Sequence, residues 1–237
     1  MSAPTRFLSG VATVPASQPL GNYPFPDPFH TSGTSGLDTF TYANDYTDLG
    51  NAGSRTITGT SSAFALVDGV GGIGRLTPGG TTTATSMYRT AAAFQFVSGQ
   101  KFWYTTRIAY SAVGAGITGY FGVIKTGGAT TDSLLFKLAA TGVLSLVSTV
   151  NNTATTLVSS VATLTAGAYA EVAFYYDGTD LLVYYDHGVI ARISSVTIGA
   201  SATTLTNAAL TEIVQITPAA TETTSIDFVL VAQEVVR

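Results

Sequence analysis

His30 and His187 are the only histidines in this 237-residue chain, and it has no cysteine. A nucleophilic triad needs a hydroxyl held against a histidine that a carboxylate orients. Serine is plentiful, but no Gly-x-Ser-x-Gly elbow occurs. His30 falls among prolines, and His187 precedes Gly188 at a predicted turn, where histidine tolerates positive φ better than most residues. Without cysteine, thiol chemistry, disulfides and thiolate metal sites are excluded. Glycoside hydrolysis needs two carboxylates flanking the scissile bond. Glu171 stands alone in an apolar run and reads as an outward-facing strand residue. Glu212 and Glu234 have no acidic neighbour close by, Glu222 has only Asp227, and no Glu-x-Asp-x-x-Glu pattern occurs. Asp177, Asp180 and Asp186 cluster around adjacent turns. Calcium would need several converging carboxylates, whereas turn aspartates ordinarily bond their own backbone. Asp68-Gly69-Val70-Gly71-Gly72-Ile73-Gly74 contains a Gly-x-Gly-x-x-Gly spacing. A phosphate-binding helix would have to open there, and Arg75-Leu76-Thr77-Pro78-Gly79-Gly80 cannot open one. These residues predict no catalytic site, cofactor or metal, and a chain that is not an enzyme.

The elements that would position any site are β-strands. Tyr169 to Ile193 reads strand, turn, strand, turn, strand, broken at Asp177-Gly178 and His187-Gly188. Phe102, Tyr104, Thr106, Ile108 and Tyr110 alternate with Trp103, Thr105, Arg107 and Ala109, the period of a half-buried strand. Further strands are expected at Ile117–Lys125, Ser133–Ala139 and Val143–Val150, and around Ile226 to Gln233. One member each of Tyr175-Tyr176 and Tyr184-Tyr185 should face each side of its sheet. Trp103 reads as a core residue rather than an exposed sugar platform. No segment sustains a helical period with caps. Strands spaced by regular turn signals predict an all-β sandwich or closed barrel.

Composition sets the surface. Hydrophobic residues make up 46% and charged residues 10%, with a net charge of −4. A typical soluble domain is about 25% charged, so this surface resists association poorly. Lys101, Lys125 and Lys137 are the only lysines, too few and too scattered to wrap nucleic acid. No apolar run reaches the ~18 residues of a membrane span, and the N-terminus lacks a signal-peptide core. Residues 1–36 hold Pro4, Pro15, Pro19, Pro24, Pro26 and Pro28, which predicts an extended arm. Phe7, Leu20, Tyr23, Phe25 and Phe29 are spaced along it as anchors for another surface. Residues 37–237 form the sandwich.

Several segments carry a resemblance. Residues 10–28, GVATVPASQPLGNYPFPDP, then Tyr42-Ala43-Asn44-Asp45-Tyr46, then Gly99-Gln100-Lys101-Phe102-Trp103-Tyr104, Asn151-Asn152-Thr153-Ala154-Thr155-Thr156 and Phe174-Tyr175-Tyr176-Asp177-Gly178 follow in that order. In this the chain resembles tailed-bacteriophage head decoration (cement) proteins. The resemblance implies an antiparallel, concanavalin-like jelly-roll β-sandwich on the capsid exterior, in a virion assembled in the bacterial cytoplasm. It implies contact with the major capsid protein and with neighbouring copies, as a homotrimer or, second, a dimer, without nucleic acid or membrane. The alternative is a carbohydrate-binding, lectin-like module or receptor-binding domain of a virion.

Overall fold

A computed structural model describes residues 39–46, 55–67, 72–114, 116–125 and 129–234. The arm residues Phe7, Leu20, Tyr23, Phe25 and Phe29, together with His30 and the first part of the glycine-rich segment, lie outside the described residues. So does the junction at residues 36 and 37.

The described residues are all β, with no helix. The strands are β1 (Thr39–Asn44), β2 (Arg55–Thr58), β3 (Ala63–Val67), β4 (Ile73–Thr77), β5 (Thr85–Arg89) and β6 (Phe102–Tyr110). Next come β7 (Thr118–Lys125), β8 (Ala129–Leu138), β9 (Val143–Val150), β10 (Thr153–Thr163), β11 (Ala170–Tyr176) and β12 (Leu181–Tyr185). The last are β13 (Gly188–Ile193), β14 (Ile198–Gly199), β15 (Leu205–Thr206), β16 (Leu210–Thr217) and β17 (Thr224–Glu234). One antiparallel sheet runs β13-β12-β11-β6-β17-β4-β3, with β1 also beside β17. The other runs β10-β9-β8-β7-β16-β5-β2. They stack as a sandwich, with β14 and β15 forming a short parallel pair. This is the concanavalin-like jelly roll.

Alternation places the core. Phe102, Tyr104, Ile108 and Tyr110 of β6 and Val172, Phe174 and Tyr176 of β11 face inward. They meet Phe121 and Val123 of β7, Leu134 and Phe136 of β8 and Leu144 and Leu146 of β9 from the other sheet. Tyr176 and Tyr185 turn inward and Tyr175 and Tyr184 outward, as the period requires. The same alternation corrects the reading of Trp103. With Phe102 and Tyr104 inward, Trp103 must face outward, where it is half-buried against Tyr175.

Two hairpins show why the turns fall where they do. Asn151 and Asn152, between β9 and β10, have φ of 47° and 66°, and Asp186 and His187, between β12 and β13, have φ of 44° and 69°. Two consecutive left-handed residues make the turn whose twist matches paired strands, and Asn, Asp and His accept it most readily.

Gly122 lies in the middle of β7 with φ of 143°, and a Cβ there would sit 2.4 Å from the Leu134 carbonyl oxygen. Gly122→Ala is therefore expected to cost about 1–3 kcal/mol. A urea midpoint matching that of the unaltered protein would refute this.

Candidate functional site

The outer face of the seven-stranded sheet carries an ordered constellation. Its strands are in register, so side chains form rows across the sheet. One row runs through directly opposed residues: Thr58, Ser86, Gln215, Tyr120, Lys137 and Ser145. It crosses six strands, about 24 Å at ~4.8 Å per strand spacing. Every member bears a hydroxyl, an amide or an amine, and Lys137 is its one charged residue. The next row reads Thr56, Tyr88, Ile213, Gly122, Leu135 and Val147. Ile213 and Leu135 pack with Ile124 into a small outer cluster flanked by Tyr88 and Tyr120. Gly122 brings no side chain to the row, and the backbone of Leu134 and Leu135 closes over its position. A polar line thus runs beside an apolar, tyrosine-flanked line.

The hydrogen bonding of the polar row is only partly used internally. Thr58 and Ser86 share a hydroxyl–hydroxyl bond of 2.6 Å. The Gln215 amide donates weakly to Thr217 at 3.4 Å, while its Oε1, though buried, has no partner among the described residues. Partial burial raises the Tyr120 phenol above its ordinary range, so it stays protonated as donor and acceptor. Tyr88 and Tyr120, one on each side of β16, with an amide and a row of hydroxyls can take a flat ligand with an apolar face and hydroxyl edges.

A second polar group lies between the sheets. Glu212 shares the inward side of β16 with Leu210 and Val214 and is 3% exposed. Its Oε1 is 4.0 Å from Arg89 Nε. Arg89 lies over the Tyr42 ring at 4.4 Å, and Arg55 donates to the Tyr42 hydroxyl at 3.1 Å while lying 5.5 Å from the Tyr46 ring centroid. Burial pushes the Glu212 carboxyl up to about 7, although Arg89 pulls it the other way. A carboxyl titrating there could pass protons at neutral pH, but this one is enclosed in the sandwich interior. Its geometry is that of a buried carboxyl held 4.0 Å from a partly exposed arginine.

The residues singled out in the sequence disperse. Glu171 faces outward on β11 with His187 Nδ1 at 3.4 Å. Partial burial raises its carboxyl against the pull of His187. Asp186 accepts from the Glu171 N–H. Asp177 accepts from the N–H groups of Thr179 and Asp180, and Asp180 accepts from Ser195 N–H and Arg192 Nε. Asp177 is committed to its own turn, Asp180 to Arg192 and Ser195 at the end of β13, and Asp186 to β11. No cluster of three or more potential metal ligands occurs among the described residues.

Tyr88, Tyr120 and Gln215 were not picked out by the sequence reading. The signal was a period of two: Ser86 and Tyr88, then Thr211, Ile213 and Gln215, place polar and apolar groups alternately on one face. Which strands would lie side by side was the missing information.

No family model matches the sequence, and none of the curated proteins matches it. Solved structures do match in fold. The endo-1,3-beta-glucanase of Streptomyces sioyaensis superposes with a TM-score of 0.57 at 10% identity, covering 84% of this chain and 98% of that one. SCLam, a non-specific endo-beta-1,3(4)-glucanase of family GH16, gives 0.59 at 12% identity, covering 84% and 92%. A carbohydrate esterase from the Shiga toxin-encoding bacteriophage phi24B gives 0.52 at 11% identity, covering 83% and 97%. The fold is therefore one shared by carbohydrate-active proteins, a phage protein among them. This corrects the expectation that the chain is not an enzyme. Endo-glucanases use the same architecture over more than four-fifths of this chain, so lack of a local acidic motif does not license that exclusion.

Proposed function

We propose that this protein is a saccharide-recognition jelly roll that holds a neutral glycan chain along the row from Thr58 to Ser145. The observation that carries this reading is the in-register polar row lying beside Tyr88, Ile213, Gly122 and Leu135. Sugar rings present apolar C–H faces and hydroxyl edges together. The partly exposed rings of Tyr88 and Tyr120 take the faces, and Thr58, Gln215, Lys137 and Ser145 take the edges, while Ile213 and Leu135 lie buried beneath. A single cation in the row is too few to neutralise a polyuronate or sulfated chain, so the ligand proposed is a neutral polysaccharide. The fold likeness to endo-glucanases and to a phage carbohydrate esterase supports the same substrate class.

The test is titration calorimetry with soluble neutral β-glucans, alongside assay of released reducing ends. Tyr120→Ala and Gln215→Ala are each expected to weaken binding about 10- to 100-fold. Absence of binding by the unaltered protein, or unchanged affinity in both variants, would remove the proposal. New reducing ends would make the face an active site.

A second reading concerns where the domain is carried. The likeness of residues 10–28 to the opening of phage head decoration proteins, with the phage esterase among the fold neighbours, supports display on a virion. In that setting the arm residues Phe7, Leu20, Tyr23, Phe25 and Phe29 meet the major capsid protein or a neighbouring copy in a homotrimer or dimer. Mixing purified protein with undecorated phage heads tests it, and failure to co-sediment would count against capsid binding.

A further inference from the structure

β10 is an edge strand of the seven-stranded sheet, paired with β9 on one side only. Natural sheets defend such an edge with lysine, proline or inward charge. Thr153–Thr163 carries none of these in 11 residues, and Thr153, Ala154, Thr155 and Thr156 are all exposed. The strand keeps regular register with β9 from Thr153 to Thr156 and shifts only beyond Thr156. The Asn151-Asn152 hairpin fixes which backbone groups are turned outward. A two-residue turn closes on a hydrogen-bonded pair, here Val150 and Thr153. Pairs then alternate, so Thr153 and Thr155 bond β9 while Ala154 and Thr156 turn their N–H and C=O groups away from it. β10 also packs against β12 and β13 of the other sheet, and on β13 Val189 and Ile190 are 57% and 41% exposed. One side of the sandwich therefore joins an uncharged open edge to exposed aliphatic side chains. Arg192, the charge of β13, is held by Asp180.

We propose that β10 pairs antiparallel with β10 of a second copy, about a two-fold axis through Thr155. In that register Ala154 faces the second copy's Thr156, and Thr156 faces its Ala154. Both residues turn their backbone groups outward, so each pair exchanges both hydrogen bonds. Thr155 meets itself across the axis in the closer, non-hydrogen-bonded type of pair, where threonine side chains interact favourably. This register alone sets the two outward residues of the regular stretch against each other. A slip of one residue opposes an outward residue to one already bonded to β9, and the ladder is lost. Within β10 no charge faces another across the axis. Closure argues for this occupant: self-pairing uses up both edges, whereas β10 against a different edge of a second copy leaves one open and builds a fibre. The side of the sandwich is about 37 Å long at ~3.4 Å per residue. With two layers ~10 Å apart and their outer side chains, it is about 20 Å deep. That approaches the ~800 Å² per partner of a stable dimer. The axis is perpendicular to the sheet, so the outer faces of both copies stay on one side. Resting on the saccharide reading above, the two rows from Thr58 to Ser145 then share one continuous face, and a single long chain can engage both.

Equilibrium sedimentation of the full-length protein tests this with no glycan present, so the result stands apart from whether the row binds saccharide. The unaltered protein should sediment at twice the chain mass. Thr155→Lys sets like charges opposite each other on the axis and should raise the dimer dissociation constant at least about tenfold. Thr155→Glu should do the same. Mixing the two variants should restore the dimer, because the substituted side chains then attract. Thr155 is exposed, so both variants should keep the far-ultraviolet circular dichroism of the unaltered protein. A monomer or a trimer at every concentration would overturn the proposal. So would a dimer that withstands both substitutions, or variants that stay monomeric when mixed.

Discussion

Phe174→Ala is expected to destabilise the protein by about 3–5 kcal/mol, the range for a buried phenylalanine cut to alanine. Phe174 is 1% exposed and sits at the centre of the aromatic core. Its ring stacks on Tyr104 at 5.0 Å and contacts Phe102 at 6.1 Å and Phe96 at 6.4 Å. It also reaches Phe136 of the opposite sheet at 6.0 Å. The truncation therefore removes a contact between layers as well as buried area, and leaves a cavity lined by rigid rings that collapse poorly. Domains of this kind have about 5–15 kcal/mol in total, so the variant should lose a large share of its margin. Equilibrium urea denaturation measures it. A loss below about 1 kcal/mol would mean that the stack does not tie the sheets together.

Glu212 sets a pH dependence of opposite sign to that of most carboxylates. Its carboxyl titrates at 4.5 when unfolded and is pushed up to about 7 in the fold, chiefly by burial. Between those values the folded state holds a proton that the unfolded state has released, so stability falls as pH rises. The contribution is fully present below 4.5 and lost as pH passes about 7. The gap corresponds to about 3 kcal/mol at 1.36 kcal/mol per pH unit. Glu212→Gln keeps the shape and removes the titration. It should flatten the stability profile over that window and leave the variant more stable than the unaltered protein at pH 8. The neighbouring Arg89 and Arg55 keep their contacts with Tyr42. Parallel profiles for the two proteins would show that Glu212 is not the titrating group.

The strands with strong alternation were legible without coordinates. Phe102–Tyr110 and the meander from Tyr169 to Ile193 appear as β6, β11, β12 and β13, because their apolar period of two has no competing helical reading. β10, Thr153–Thr163, was not. Its run of threonine, serine and alanine has little burial of its own and takes its conformation from pairing with β9. Trp103 was misplaced because residue type was weighed above parity: its neighbours Phe102 and Tyr104 had already claimed the interior. The saccharide row was illegible for a different reason. Thr58, Ser86, Gln215, Tyr120, Lys137 and Ser145 come from six strands, and the order in which those strands lie side by side is a property of topology, not of any local segment.

That same topology governs how the chain can fold. β16 lies between β7 and β5, and β17 between β6 and both β4 and β1, so each is an interior strand of its sheet. Both are made after every strand they join. Until they emerge, the seven-stranded sheet is split in two and the other into three, β1 standing alone, with open edges and uncovered apolar faces. The pairings that β16 and β17 make are all long-range, and loop-closure entropy must be overcome before they form. The nascent chain passes most of its synthesis unable to close either layer, the interval in which β-rich chains pair with the wrong partner.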